Sequence, residues 1–244
     1  MLRNNYDDTA FFDKYSRMDR SRKGLEAAGE WHALRAMLPD FHGKRVLDLG
    51  CGFGWHCRYA QQQGAASVTG VDISKNMLAE AQAKTDAASI RYLHMPIEEI
   101  DFPENSFDVV LSSLAFHYIA AFDDVCRKVG QCLVRQGDFV FSVEHPVFTA
   151  AGKQDWHYDA QGNPLHWPVD DYFSEGLRRT TFLGEDVLKY HRTLTSYTAC
   201  LIQAGFELQD LREPQPDPRL LDTIPGMRDE LRRPMMLLVA AKKQ

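Results

Sequence analysis

Val46-Leu47-Asp48-Leu49-Gly50-Cys51-Gly52-Phe53-Gly54 is a short apolar strand running into glycines at alternate positions, and Gly70-Val71-Asp72 closes the next apolar run. Glycines so spaced let backbone amides crowd against a ligand, because no Cβ intervenes and φ is free. A helix beginning near Gly54 aims its unpaired N–H groups and its positive dipole end at the same spot. Asp72 then stands where the acidic residue of nucleoside-binding α/β folds accepts hydrogen bonds from ribose hydroxyls. A plain βα turn has similar glycines, and a carboxylate at a helix N-terminus needs no ligand. Together the two features point to a nucleoside cofactor.

Outward from this turn the chain alternates between apolar runs and helical periods. Strands are predicted over Arg45–Leu49, Ser67–Asp72, Ile90–His94, 108–113 and 138–144. Helices with apolar residues three and four apart fall at 55–63, 75–84 and 121–135. Gly64 closes the first, Ser74 caps the second and Gly137 ends the third. Near-continuous apolar strands separated by helices imply a parallel sheet covered on both faces, with right-handed crossovers. After Glu144 the rhythm breaks into an aromatic stretch, then resumes with a helix at 194–204 closed by Gly205 and strands at 206–211 and 235–241. Glu213-Pro214-Gln215-Pro216-Asp217-Pro218 is a stiff surface excursion between those strands. Upstream, 24–38 reads as one amphipathic helix ended by Pro39, preceded by the cluster Tyr6, Phe11, Phe12 and Tyr15.

Two cofactor classes share a strand, a glycine-rich turn, a helix and an acidic strand end. Dinucleotide sites use G-x-G-x-x-G, whose third glycine lets helix and strand pack closely. Here the spacing is G-x-G-x-G, and Trp55 fills the position of that third glycine, which stands against a nicotinamide dehydrogenase.

On this turn, on Gly70-Val71-Asp72-Ile73-Ser74 with Met77, on Phe102-Pro103-Glu104-Asn105-Ser106-Phe107-Asp108-Val109-Val110 and on Leu114-Ala115-Phe116-His117-Tyr118, the chain resembles the class I S-adenosylmethionine-dependent methyltransferases, in the small-molecule, ubiquinone-methyltransferase-like group. The resemblance covers about residues 40–145. It implies a Rossmann-like, mostly parallel seven-stranded sheet with helices on both faces and an antiparallel C-terminal strand, and S-adenosyl-L-methionine as cofactor. Carried onto this sequence, Gly50, Cys51, Gly52 and Gly54 line the methionine part, Asp48 holds its ammonium and Asp72 the ribose diol. Ile73 and Met77 pack near ribose and adenine, and Ser112 and Ser113 face the methionyl side. Relatives usually carry an acid before the Phe-Pro turn for the adenine amine; Pro96 stands there, which leaves main-chain groups of Met95 or Pro96, or Glu98, for that contact.

Methyl transfer from a sulfonium is an in-line displacement, in which positioning alone supplies about 7–11 kcal/mol. A base is needed only when the acceptor must lose a proton. The base candidates are His117 after the fourth strand and His145 after the fifth, each open to a packing or loop role instead. Tyr118 and Glu144 are acceptor-side candidates. The expected organisation is a single methyltransferase domain: an N-terminal lid and helix (1–40), a cofactor-binding core (41–145), an aromatic cap insertion (146–192) and a C-terminal helix and strand pair (193–244). Trp156, Trp167 and Tyr172 of the cap are candidate acceptor contacts, though rings there also serve simply to pack it. Tyr15 and Arg17 of the lid are candidate cofactor contacts, Arg17 reaching for the methionyl carboxylate.

Net charge is -6 over 244 residues, which disfavours nucleic acid, and Arg17, Arg20, Arg22 and Lys23 read as a solvated helix face. No apolar signal segment opens the chain, and the run 235–241 is too short to span a bilayer. Five cysteines without a Cys-x-x-Cys pair argue against disulfides and metal sites and for a reducing cytoplasm. The favoured expectation is a methyltransferase of a small-molecule acceptor. The alternatives are a non-catalytic cofactor-binding module and methylation of RNA or protein. Oligomeric state is not written in these residues.

Overall fold

The computed structural model describes residues 4–244; residues 1–3, the first of the stretch read as lacking a signal segment, lie outside the described residues. A turn at Asn5–Asp7 leads into short helices α1 (Thr9–Ser16), α2 (Asp19–Lys23) and α3 (Trp31–Arg35). The central alternation follows as β1 (Arg45–Leu49), α4 (Trp55–Gln62), β2 (Ser67–Asp72), α5 (Lys75–Ala83), β3 (Ile90–His94), β4 (Phe107–Ser113), α6 (Phe122–Cys132) and β5 (Leu133–Glu144). A cap region holds α7 (Pro146–Thr149) and two hairpins, β6 (His157–Tyr158) with β7 (Pro164–His166) and β8 (Gly176–Phe182) with β9 (Glu185–His191). Then come α8 (Leu194–Gln203), β10 (Phe206–Arg212) and β11 (Met236–Lys243).

The main sheet has seven strands in the order β10-β11-β5-β4-β1-β2-β3. β1 pairs in parallel with β2 and β4, and β4 with β5, whereas β11 runs antiparallel to both β5 and β10. This is the expected Rossmann-like methyltransferase fold with its antiparallel final strand. The strand order reverses between β1 and β4, the place where open α/β sheets leave a crevice at their carboxyl ends.

Both faces are covered because β1, β4 and β5 are apolar on both sides. Phe122, Val125, Cys126, Val129 and Cys132 of α6 recur at helical spacing and pack with Tyr197 and Leu201 of α8 onto one face. Cys57, Ala60 and Leu78 of α4 and α5 cover the other, joined at its far end by Trp31 and Leu34 of α3 against Val140 and Leu238. Among the described residues, no helix is long and apolar enough to cross a membrane, and all five cysteines are free thiols.

Three local expectations are corrected. The helix predicted over 24–38 splits into a 3-10 turn at Gly24–Ala27 and α3, because Ala28 is extended and the chain must clear the Trp55 ring packed on Gly24. The helix predicted over 121–135 stops at Cys132, since Leu133 is already extended and opens β5. The cap, which shows no period in sequence, forms two hairpins.

Candidate active site

The glycine turn leaves β1 at its carboxyl end. Gly50 and Cys51 both donate N–H to Val71 O, at 2.8 and 3.0 Å, which folds the turn back onto β2. A Cβ on Gly50 (φ +76°) meets the Ala115 Cβ at 2.4 Å, so the post-β4 loop presses on the turn there. A Cβ on Gly52 (φ +52°) meets nothing within 4 Å, so this residue opens onto free space. α4 begins at Trp55 with no side chain capping it, which leaves its first N–H groups and positive end turned to the same crevice.

Two carboxylates flank the turn. Asp72 Oδ2 accepts Gly52 N–H and Oδ1 accepts Ser74 N–H, each at 2.8 Å, and burial raises its pKa against those two bonds. Asp48 is buried in β1; its Oδ2 accepts the Cys57 thiol at 3.2 Å and its Oδ1 has no partner. Burial pushes its pKa up to about 7, and that of the neighbouring Cys51 thiol to about 11. A buried carboxylate oxygen left unpaired is costly, and a bound cationic donor offsets that cost.

Beyond Asp72, Ile73, Met95 and Pro96 are half-buried and Met77 is buried on α5, whose cap Ser74 Oγ accepts Met77 N–H. Met95 N–H is held by Asp72 O at 3.0 Å, which brings the Met95-Pro96 stretch beside the acidic strand end.

The N-terminal segment lies over this edge. Asp7 Oδ1 accepts Ser74 O–H at 2.6 Å and Asn76 N–H at 3.1 Å, and Asn4 Nδ2 donates to Ile73 O at 3.3 Å. Tyr6 stacks edge-on to Phe11, Tyr15 and Tyr118, and its hydroxyl lies 3.1 Å from that of Tyr118. Tyr15 also meets Phe53 of the glycine turn. Arg17 is exposed, whereas Arg20, not singled out from sequence, is turned inward. Its Nη2 donates to the buried Glu30 at 3.0 Å, and its charge acts on Tyr15 and Tyr6 and adds to burial, the main cause, in lowering the pKa values of His56 and His117. In sequence Arg20 is one of four basic residues on a helix face, and only its pairing with Glu30 sets it apart.

On the acceptor side, β4 exits through Leu114 in the left-handed region (φ +54°), its N–H bonded to Ser142 O at 2.9 Å. A leucine there costs about 1–2 kcal/mol of backbone strain, and this bend carries His117 and Tyr118 towards the lid. Ser112 is buried and donates to Leu49 O at 2.7 Å, bracing β4 against β1, and Ser113 Oγ accepts from Ser142 at 3.2 Å. His117 is buried, its Nδ1 accepts Glu144 N–H at 3.4 Å, and burial drives its pKa down to about 4. Glu144 is ion-paired to the buried Lys189 of β9 at 2.5 Å, and Gln154 donates to its other oxygen at 2.8 Å. Burial alone raises the Glu144 pKa, but His117 and Lys189 outweigh it and hold the carboxyl below its usual range. Lys189 and Gln154 carry no motif, and only the buried contact identifies them.

The geometry redistributes four sequence candidates. His145 Nδ1 accepts Val147 N–H at 3.0 Å and so caps α7, and Nε2 lies 2.8 Å from Glu213 Oε1 without hydrogen-bond alignment. With Nδ1 occupied, the neutral ring carries its proton on Nε2 and offers no free lone pair. Trp167 is stacked on Phe148 and covered by Arg233 at 3.9 Å, and Trp156 is covered by Arg232 at 4.4 Å. The Tyr172 hydroxyl accepts Leu194 N–H at 3.2 Å. These three rings fasten the cap to the C-terminal segment and α8.

A cavity of about 570 Å³ lined by Arg45, Arg91, Phe102 and Phe107 lies at the amino ends of the strands, away from this crevice. Among the described residues, no His, Cys, Asp and Glu cluster could hold a metal ion.

A methyltransferase-domain family matches residues 47–141. A Listeria monocytogenes structure assigned as an S-adenosylmethionine dependent methyltransferase superposes with a TM-score of 0.86 at 58% identity, covering 91% of this chain and 99% of that one. An S-adenosylmethionine dependent methyltransferase from Mesorhizobium loti gives a TM-score of 0.84 at 43% identity, over 90% of this chain and 100% of that one. A malonyl-[acyl-carrier protein] O-methyltransferase from Pectobacterium atrosepticum is 34% identical over 54% of this chain and 50% of its own length. A tRNA U34 carboxymethyltransferase from Alcanivorax borkumensis is 28% identical over 63% and 49%. The chain thus spans about half the length of these two curated relatives. It belongs to the class I methyltransferases, enzymes whose cofactor is S-adenosylmethionine.

Proposed function

We propose that the enzyme methylates a small-molecule acceptor in the crevice between the carboxyl ends of β1 and β4, under the N-terminal lid. The observation that carries the reading is the open face at Gly52, tied to Asp72 and neighboured by the unpartnered oxygen of buried Asp48. The residues fit the cofactor: Asp48 suits the methionyl ammonium, Gly50, Cys51, Gly52 and Gly54 the methionine backbone, and Asp72 the ribose hydroxyls. Ile73, Met77, Met95 and Pro96 offer apolar walls for adenine. Arg20, with Tyr15 beside it, replaces Arg17 as the partner for the methionyl carboxylate. S-adenosylmethionine supplies a methyl on a sulfonium that leaves as a neutral thioether. The lid excludes water, and Tyr118 and His117 bound the acceptor side.

Curated relatives act on tRNA as well as on malonyl-[acyl-carrier protein], so relatives alone leave the acceptor open. The charge of -6 favours a small molecule over RNA, and five free thiols suit a cytoplasmic enzyme. Calorimetric titration with S-adenosylhomocysteine tests the cofactor site. Asp72→Ala is expected to weaken binding by about 1–3 kcal/mol, since the ribose loses charged acceptors. No heat from the unsubstituted protein, or an unchanged affinity in the variant, overturns the assignment.

A further inference from the structure

We propose that the acceptor is a carboxylate, methylated on oxygen without any base supplied by the protein. This rests on the reading above and concerns only what the acceptor edge can hold.

Four segments meet at that edge, and their lone pairs and charges are already engaged. From β5, Glu144 gives one oxygen to Lys189 at 2.5 Å and the other to Gln154 at 2.8 Å. From the lid side, Glu30 is held by Arg20 at 3.0 Å. After β4, His117 Nδ1 receives Glu144 N–H, and after β5, His145 Nδ1 receives Val147 N–H. Each imidazole is therefore protonated on Nε2 and cannot accept a proton there. Among the described residues, neither imidazole at this edge is free to take a proton from an ammonium, a thiol or an alcohol.

What the edge does offer is donors. Tyr6 and Tyr118 share one proton across 3.1 Å, so the second hydroxyl proton of the pair is free for a ligand. Both phenols are half-buried and their pKa values are raised, so each remains a donor at neutral pH. His117, whose Nδ1 is taken by Glu144 N–H, adds an Nε2–H. Neutral donors with no free base among them suit an anion. A carboxylate is ionised near neutral pH without help. Its oxygen lone pair forms the new O–C bond, the C–S bond breaks with its pair left on sulfur, and no proton moves.

The test has two arms. Melting curves of the protein loaded with S-adenosylhomocysteine are recorded with butyrate, octanoate, benzoate and phenylacetate, each against its amide and its amine. At least one carboxylate is expected to raise the midpoint by about 2 °C or more where its amide and amine do not, and Tyr118→Phe to reduce that shift. Methyl-tritiated cofactor is also incubated with enzyme and a bacterial metabolite extract, and the product is treated with mild alkali. Label released as volatile methanol marks a carboxyl ester and supports the proposal. Alkali-stable label overturns it while leaving the methyltransferase reading intact, and so does a panel in which no carboxylate outperforms its amide. Failure of S-adenosylhomocysteine to bind is a different result, which strikes the cofactor assignment itself.

Discussion

At the cofactor edge the polar groups belong to one run, residues 46–54, and to Asp72, whose carboxylate bonds Gly52 across 20 positions. At the acceptor edge the same work falls to side chains that meet across much longer spans: Glu144 with Lys189 over 45 residues and Tyr6 with Tyr118 over 112. The first edge is made of backbone held by glycine conformation and a helix end. The second is made of buried side-chain pairs recruited from the lid and the cap. One therefore tolerates change in neighbouring side chains and fails when a Cβ is added; the other fails when a partner is removed.

The largest expected effect lies at the acceptor edge. Lys189→Ala leaves Glu144 buried and uncompensated and is expected to cost about 3–5 kcal/mol. The double variant Lys189→Met with Glu144→Leu should recover most of it. Urea unfolding of the three proteins checks this, and a loss under about 1 kcal/mol in the single variant would show that the pair is solvated.

Next comes the cofactor edge, where two glycines separate stability from binding. Gly50→Ala meets the Ala115 Cβ at 2.4 Å in addition to its positive φ, and should cost about 2–4 kcal/mol. Gly52→Ala, with nothing within 4 Å, carries only the backbone strain of about 1–2 kcal/mol. Both are expected to lose S-adenosylhomocysteine binding, Gly52→Ala because its methyl fills the free space. Retained binding in Gly52→Ala would mean that the cofactor does not use that face.

The contrast also explains what could be read from the sequence. The central strands and helices and the glycine turn are legible because strand and helix periods and glycine spacing are local signals, whereas the seven-stranded sheet with its antiparallel strand came only from the family resemblance, and the strand order is a tertiary fact. The split of 24–38 was not legible, because it depends on Trp55 pressing on Gly24 from a distant helix. Arg20 looked like one of four exposed basic residues, and Lys189 like an ordinary strand lysine; only burial against Glu30 and Glu144 distinguishes them. Trp156, Trp167 and Tyr172 were visible as aromatic residues, but whether a ring faces a ligand or an arginine is a tertiary fact.

A smaller effect is set by pH. Burial holds His117 and His56 near pKa 4, against about 6.5 when unfolded, so the unfolded chain takes up protons first as pH falls. The stability they confer is complete above pH about 6.5 and is lost progressively towards pH 4. Each should contribute a loss of about 2 kcal/mol between pH 7 and pH 5. Urea midpoints at the two pH values measure the total, and His117→Asn should remove its own share. The residual slope then belongs to His56 at the lid side.

The smallest effect separates a catalytic from a structural histidine. His145 stands next to Glu144, yet its Nδ1 is engaged in capping α7 through Val147 N–H. Replacing a capping side chain with alanine costs about 1 kcal/mol, whereas asparagine is itself a good cap. His145→Ala should therefore be destabilised by about 1 kcal/mol and His145→Asn hardly at all. Neither change should alter methyl transfer per folded molecule, measured as labelled product from a metabolite extract. A base acting through His145 predicts the opposite order, in which His145→Asn folds well and loses turnover. That outcome would move the acceptor site from the Tyr6–Tyr118 pair to the mouth of the cap.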